Sequence, residues 1–245
     1  MYMQRRQTRE EIPNATLINF YENAQVQAFC SASHNPHFDL HQIKLPFRAA
    51  VIGASGSMKS NLVCNLLKIM NNTFNRIELY CRAKDEPLYQ YLESILPKEL
   101  FSIHESIDVF NSKDLNKSYS KEDNTLIIFD DLCLEKDQSK ISELYIRGRK
   151  LGVSCLYLSQ KYFLIPKSVR GQLSYVFLKK IAQKSDLKRI LCETSLGASP
   201  AQLMNMYLFA THQDKTSFLL LDLEAPQERQ YRRNFDEILN PDDFG

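Results

Sequence analysis

The sequence predicts an α/β fold with a mostly parallel central sheet flanked by helices. Short β-prone runs alternate with stretches of helical apolar spacing, as expected of parallel strands joined by helical crossovers. Thr125-Leu126-Ile127-Ile128-Phe129-Asp130-Asp131 is apolar until its two terminal acids, the pattern of a strand buried on both faces. Ala49-Ala50-Val51-Ile52 runs into a loop of small residues that opens directly on an amphipathic segment.

Residues 1–35 are polar and lack a clear period, so they read as an N-terminal arm; 36–223 carry the core domain, and 224–245 an acidic C-terminal tail. Residues 38–53 (FDLHQIKLPFRAAVIG) predict one or two strands, with Pro46 marking a break or an edge. Residues 59–70 set Leu62, Val63, Leu66, Leu67 and Met70 on one helical face. A strand is predicted at 76–81, then a helix over 85–96 with Asp85 as N-cap and Pro87 in its first turn. The polar stretch 112–123 reads as a surface loop. After 125–131 comes a helix over 137–151 with Ile141, Leu144, Tyr145 and Leu151 inward, then a buried strand at 153–158 ending in Ser159-Gln160. A strand at 174–178, helices near 183–193 and 199–210, and a strand at 216–223 complete the core.

The loop Gly53-Ala54-Ser55-Gly56-Ser57-Met58-Lys59-Ser60-Asn61 has the makings of a phosphate cradle. Small residues let several backbone N–H groups converge on one anion, and the helix that follows presents its positive end to it. Lys59 adds a mobile charge, and the Ser60 hydroxyl suits a magnesium ion. The spacing matches the Walker A pattern except that Met58 stands where glycine is expected. A small-residue turn between a strand and a helix is the plainer reading of the loop by itself.

Asp130-Asp131 and Gln160 strengthen the phosphate reading, because ligands of open parallel sheets sit at the carboxyl ends of strands. An apolar strand ending in two acids looks like a Walker B element, with Asp130 in the Mg²⁺ shell and Asp131 orienting the attacking water. Gln160 is then placed to sense the γ-phosphate or to position water. Strand-end acids that merely meet solvent are the competing explanation. Arg147 and Arg149 close a predicted helix ahead of Gly152, which suits its dipole; either also suits an arginine finger given to a neighbouring subunit, with Arg170 as a rival.

Hydrophobic content of 44%, charge of 24% and a net charge of +2 describe an ordinary globular chain. The total conceals an asymmetry: Arg147 to Arg189 holds eleven Lys or Arg against one acid, and Asp222 to Asp243 seven acids against three arginines. A basic middle suits a nucleic-acid backbone tracked without base readout, or a solvated face. Six cysteines without CxxC spacing read as buried hydrophobes of a reducing, intracellular compartment, and the histidines offer no metal-ligand pattern. No apolar run approaches membrane-spanning length.

The segments VIGASGSMKS, ELYCRAKDEPLYQYL, TLIIFDDL, ELYIRGRKLGVSCLYLSQKYFLIPKSVR and SYVFLKK together resemble the poxvirus-type genome-packaging ATPases of the FtsK–HerA group, found in large DNA viruses, virophages and Polinton-like elements. The resemblance runs from about Phe38 to about Leu221, and 125–170 is its more specific part. It implies a RecA-like (ASCE) P-loop NTPase fold at 36–223 and a Mg-ATP-driven ring, usually a hexamer or pentamer, that moves double-stranded DNA into a preformed capsid. By position, Lys59 and Ser60 become the Walker A pair, Asp130 and Asp131 the Walker B acids, and Gln160 the sensor. Arg147 and Arg149 fall in the segment of the family's basic GR-type motif. The resemblance further implies a capsid or portal-vertex partner and a place in the virion or viral factory. Met58 and Gly171, which follows Arg170, depart from the family pattern. Two other readings stay open: a P-loop small-molecule kinase, and a nucleotide-binding virion subunit that does not hydrolyse.

Overall fold

The computed structural model describes residues 19–27, 34–107, 115–120, 122–135, 137–182, 184–194 and 196–245. Residues 1–32 and 33–245 form separate units. In the first, a 3-10 turn at Phe20–Glu22, capped by the Asn19 side chain, precedes α1 (Ala24–Gln27). Residues 1–18 and 28–33 of the expected arm, Cys30 among them, lie outside the described residues.

The second unit holds strands β1 (Arg48–Ile52), β2 (Arg76–Cys81), β3 (Phe101–His104), β4 (Thr125–Asp130), β5 (Val153–Ser159), β6 (Tyr175–Leu178), β7 (Leu219–Asp222), β8 (Tyr231–Arg233) and β9 (Glu237–Ile238). Its helices are α2 (Phe38–His41), α3 (Lys59–Ile69), α4 (Pro87–Ile95), α5 (Leu115–Ser118), α6 (Ser139–Arg147), α7 (Lys167–Arg170), α8 (Lys184–Glu193) and α9 (Pro200–His212). Among the described residues the strands make one sheet, ordered β3-β2-β4-β5-β1-β6-β7-β8-β9. Pairing is parallel from β3 across to β6 and antiparallel from β6 to β9.

Strict alternation along the central strands sends successive side chains into two cores. Leu126 and Ile128 of β4 join Leu62, Val63 and Leu66 of α3 and Tyr89 and Leu92 of α4 on one face. Ile127 and Phe129 join Ile141, Leu144 and Tyr145 of α6, with α8 and α9 residues, on the other. A sheet covered on both faces needs apolar residues at every strand position, which is why 125–129 reads as one unbroken run.

Several expectations are corrected. Of the one or two strands expected over 38–53 there is one, β1; a short helix, α2, stands ahead of it, closed by Gln42 in a left-handed conformation, and side chains hold the segment that follows. Asn35 donates to the Ile43 carbonyl, and the Lys44 amide donates to the Tyr175 hydroxyl. The helix at 87 is preceded by Glu86 as N-cap, so Asp85 lies one residue outside it. Strand β3 and helix α5 were not expected; α5 falls inside the polar stretch 112–123, of which 112–114 and 121 lie outside the described residues. The helix expected to reach residue 151 tightens into a 3-10 turn at Gly148–Leu151. The strand expected over 216–223 is confined to β7.

The expected acidic tail instead extends the sheet: Tyr231 and Arg232 of β8 are buried, and Arg232 pairs with buried Asp222 at 3.0 Å. The tail's own acids stay exposed, and the acid that answers buried Arg232 is Asp222 of β7. Cys81 and Cys155 are buried as expected, whereas Cys192 is exposed.

Candidate functional site

The loop after β1 is anchored on both sides. The Gly53 amide donates to the Ser159 carbonyl at 3.2 Å and the Ala54 amide to the Lys180 carbonyl at 3.0 Å. A Cβ on Gly53 would lie 2.4 Å from Ser57 Oγ and 2.6 Å from Lys179 Cβ, so only glycine fits there. Lys179 itself is buried, its ammonium donating to the carbonyls of Lys215, Thr216 and Ser217. Burial lowers its pKa to about 8.

Met58 sits immediately before α3 with φ 65° and ψ 42° and is 42% exposed. The residue thus adopts the left-handed backbone that its position demands and leaves its side chain partly in solvent. Lys59, almost buried, curls back so that Nζ donates to the Gly53 carbonyl at 3.2 Å and lies 3.5 Å from that of Ala54. A lysine held by the loop's own carbonyls can transfer to an anion entering the cradle with little displacement.

The acids approach from β4. Asp130 ends that strand; Asp131 turns away with φ 49°, its amide donating to the Leu158 carbonyl at 3.3 Å. Strand β5 lies between β1 and β4, so Gln160 emerges between loop and acids. There its Nε2 donates to Asp131 Oδ2 at 3.0 Å. Tyr89 of α4 donates to Asp130 Oδ2 at 2.5 Å and is hydrogen-bonded to Ser60 as well. Burial pushes the Asp130 carboxyl up to about 6; the Tyr89 bond and Lys59 oppose this, and Asp131 adds to it.

These groups line one cavity of about 570 Å³. Of the residues expected in the site, Ser55, Gly56, Met58, Lys59, Ser60, Asn61, Asp130, Asp131 and Gln160 face it. Ala54 and Ser57, with Ser55 and Gly56, border a second cavity of about 600 Å³ on the far side of the loop. Gly53 serves from beneath, by its contacts with Ser57 and Lys179. Arg82, Glu86 and Tyr89 also face the first cavity and were missed. The only guide to Arg82 is strand register: Cys81 pairs with Asp130, which places Arg82 level with Asp131, and strand order is not written in the sequence.

Arg147 and Arg149 do not face this cavity. Both are exposed near the amino end of β5, at the other end of the sheet, where Arg147 pairs with Glu143 and Arg149 lies 4.0 Å from Glu224. The rival Arg170 is engaged internally, stacking over Tyr162 at 5.2 Å and Phe163 at 5.0 Å and pairing with Glu193. Ser60 and Asp130 are both hydrogen-bonded to the Tyr89 hydroxyl, which sets their oxygens on the same part of the cavity wall. No group of three or more His, Cys, Asp or Glu suited to a metal exists among the described residues. The donor set therefore fits an ion that keeps waters and takes phosphate oxygens, the habit of Mg²⁺.

The family model of the poxvirus A32 protein matches residues 36–225. The chain belongs to the poxvirus A32 family. This is a family of viral genome-packaging ATPases. The genome packaging NTPase B204 from Sulfolobus turreted icosahedral virus 2, in complex with ATP-gammaS, aligns with TM-score 0.57 and 16% identity over 80% of this chain and 100% of that one. The DNA-packaging ATPase B204 from Sulfolobus turreted icosahedral virus aligns with TM-score 0.55 and 16% identity over 78% and 98%. EssC (ATPases 2 and 3) from Geobacillus thermodenitrificans gives TM-score 0.55 and 11% identity, spanning 80% of this chain and 40% of that one. At such identities the likenesses speak for the fold, that of P-loop NTPases. No curated protein matches the sequence.

Proposed function

We propose that this A32-family chain is a Mg-ATP-dependent motor that translocates double-stranded DNA into a viral capsid, working as a homo-oligomeric ring. The observation that carries the reading is the meeting of Lys59, Asp130, Asp131 and Gln160 in one cavity, with Gln160 already bonded to Asp131. The loop amides and the amino end of α3 receive the phosphates, and Lys59 moves onto them from the Gly53 carbonyl. Ser60 and Asp130 would hold the Mg²⁺ ion, which neutralises charge on the phosphate oxygens. Asp131 orients the water whose oxygen attacks the γ-phosphorus, and the bond to the β-phosphate oxygen breaks. Gln160, bonded to that acid, registers whether the γ-phosphate is present.

Two features favour assembly and a DNA substrate. Arg147 and Arg149 stand away from their own site and solvent-exposed, as a finger donated to a neighbouring subunit requires. Of the basic stretch, Lys179 and Arg170 are internally engaged and Arg189 stacks over Phe163, while Lys150, Lys161, Lys167, Lys180 and Lys188 are exposed and available to a phosphate backbone. Among the described residues no helix is long and apolar enough to cross a membrane.

The test is ATP hydrolysis by the purified protein with and without duplex DNA, beside Lys59→Ala and Asp131→Ala. DNA-stimulated turnover lost in both variants is expected. Equal activity in all three proteins sinks the motor reading, and ATP binding without hydrolysis under any DNA condition would assign a structural virion subunit instead.

A further inference from the structure

We propose that Arg82 is a phosphate-contacting residue that exchanges its carboxylate partner, Glu135, for the terminal phosphate of a bound nucleoside triphosphate. This deepens the nucleotide reading and rests on it. Arg82 follows the last residue of β2, and the Cys81–Asp130 register brings it to the carboxyl end of the sheet beside Asp131. It faces the cavity that holds Lys59, Asp130, Asp131 and Gln160.

Charge favours the role. Among the described residues the cavity's lysines and arginines are Lys59 and Arg82, against Asp130, Asp131 and Glu86. With two cations facing three carboxylates, the side chains alone leave much of a polyphosphate's charge to a bound ion, and a second guanidinium or ammonium turned toward the phosphates adds to that neutralisation. Arg82 is free to turn that way. Its side chain is 61% exposed, and its Nε and Nη2 both approach a single oxygen, Glu135 Oε1, at 2.8 and 2.7 Å. A phosphate offers several acceptor oxygens to the same planar fork.

The present partner is also informative. Glu135 closes the 3-10 turn Leu132–Leu134 that follows Asp131 directly. Moving Arg82 onto a phosphate releases Glu135, so occupancy by a triphosphate is felt in the segment attached to the acid that positions water. Glu135 acts as a competitor for the guanidinium. Removing its charge therefore favours the phosphate-bound arrangement.

The experiment is calorimetric binding of ATPγS and of ADP, each with Mg²⁺, to the full chain and to Arg82→Ala, Arg82→Lys and Glu135→Gln. Arg82→Ala is expected to weaken ATPγS about 10-fold to 100-fold, the size of a lost charge-assisted contact, while ADP changes less than about threefold. Arg82→Lys falls between, keeping the charge without the fork. Glu135→Gln tightens ATPγS and leaves ADP unchanged. Equal weakening of both nucleotides by Arg82→Ala, no weakening of either, or weaker ATPγS binding by Glu135→Gln overturns the proposal. A wild-type chain that binds neither nucleotide refutes the nucleotide reading itself, a separate result.

Discussion

Met58 occupies the one loop position where this chain departs from the phosphate-cradle pattern, and its backbone sets a measurable cost. At φ 65° an L residue carries a left-handed penalty of roughly 1–2 kcal/mol, which glycine avoids. Glycine adds about 0.5–1 kcal/mol of unfolded-chain entropy relative to alanine. Met58 is 42% exposed, so truncating it forfeits on the order of 1 kcal/mol of apolar burial, whichever small residue replaces it. Met58→Ala keeps the backbone penalty and loses the burial; Met58→Gly loses the burial but sheds the penalty. The glycine variant should therefore exceed the alanine variant by about 0.5–1 kcal/mol, the reverse of their order in an ordinary helix. Met58→Val, stiff at χ1 in a region hostile to branched residues, should be the least stable of the three. Urea unfolding of the nucleotide-free proteins at 25 °C measures all three. ATP affinity should stay within about threefold of wild type in the glycine and alanine variants, below roughly 0.7 kcal/mol, because the cradle is made of backbone. Alanine or valine matching glycine in stability would refute the assigned conformation and with it the account of how methionine is tolerated.

Three further outcomes follow from the same geometry. Gly53→Ala drives a Cβ against Ser57 Oγ and against Lys179 Cβ, whose position the backbone fixes, and should cost about 1–3 kcal/mol together with nucleotide binding; an unchanged melting temperature contradicts this. His41 is fully buried, and burial first, then Arg232, lowers its pKa from 6.5 to about 4. Because the fold favours the neutral ring, stability is intact above pH 6.5 and falls as pH drops toward 4, by up to roughly 3 kcal/mol. His41→Asn, which keeps an acceptor for the Ile43 amide, should flatten the urea-unfolding profile between pH 6.5 and 4; an unaltered slope would place the acid sensitivity elsewhere. Arg170→Ala should lower stability by about 1–3 kcal/mol through lost stacking on Tyr162 and Phe163 and the lost Glu193 pair. Turnover per folded molecule should be unchanged, and selective loss of hydrolysis would restore Arg170 as the finger.

The chemistry-bearing parts of this molecule were legible because each is local in sequence. The loop 53–61 is contiguous, and Asp130, Asp131 and Gln160 end apolar runs whose burial their composition announces. What stayed hidden depends on strand order. Arg82 and Tyr89 reach the cavity only because β2 neighbours β4 and α4 packs beside α3, relations that no spacing along the chain encodes. Strand β3 is short and only partly buried, so it lacks the apolar run that revealed β4 and β5. The acids of 224–245 are exposed, as their charge suggests, but they hid β8, whose Tyr231 and Arg232 are buried, Arg232 against Asp222 of β7.

The loop 53–61, Gln160 and the two acids lie at the ends of three different strands, stitched together by the amides of Gly53, Ala54 and Asp131. Lys59 and Ser60 open α3, but the constellation as a whole belongs to no local hairpin or single helix turn. The stitching amides of Gly53, Ala54 and Asp131 should therefore exchange with solvent at the pace at which the central strands open, unlike the cradle amides left free for phosphate. Nucleotide competence is in this sense a collective property of the sheet: a defect in either core, far from any phosphate, erodes the fraction of molecules able to bind.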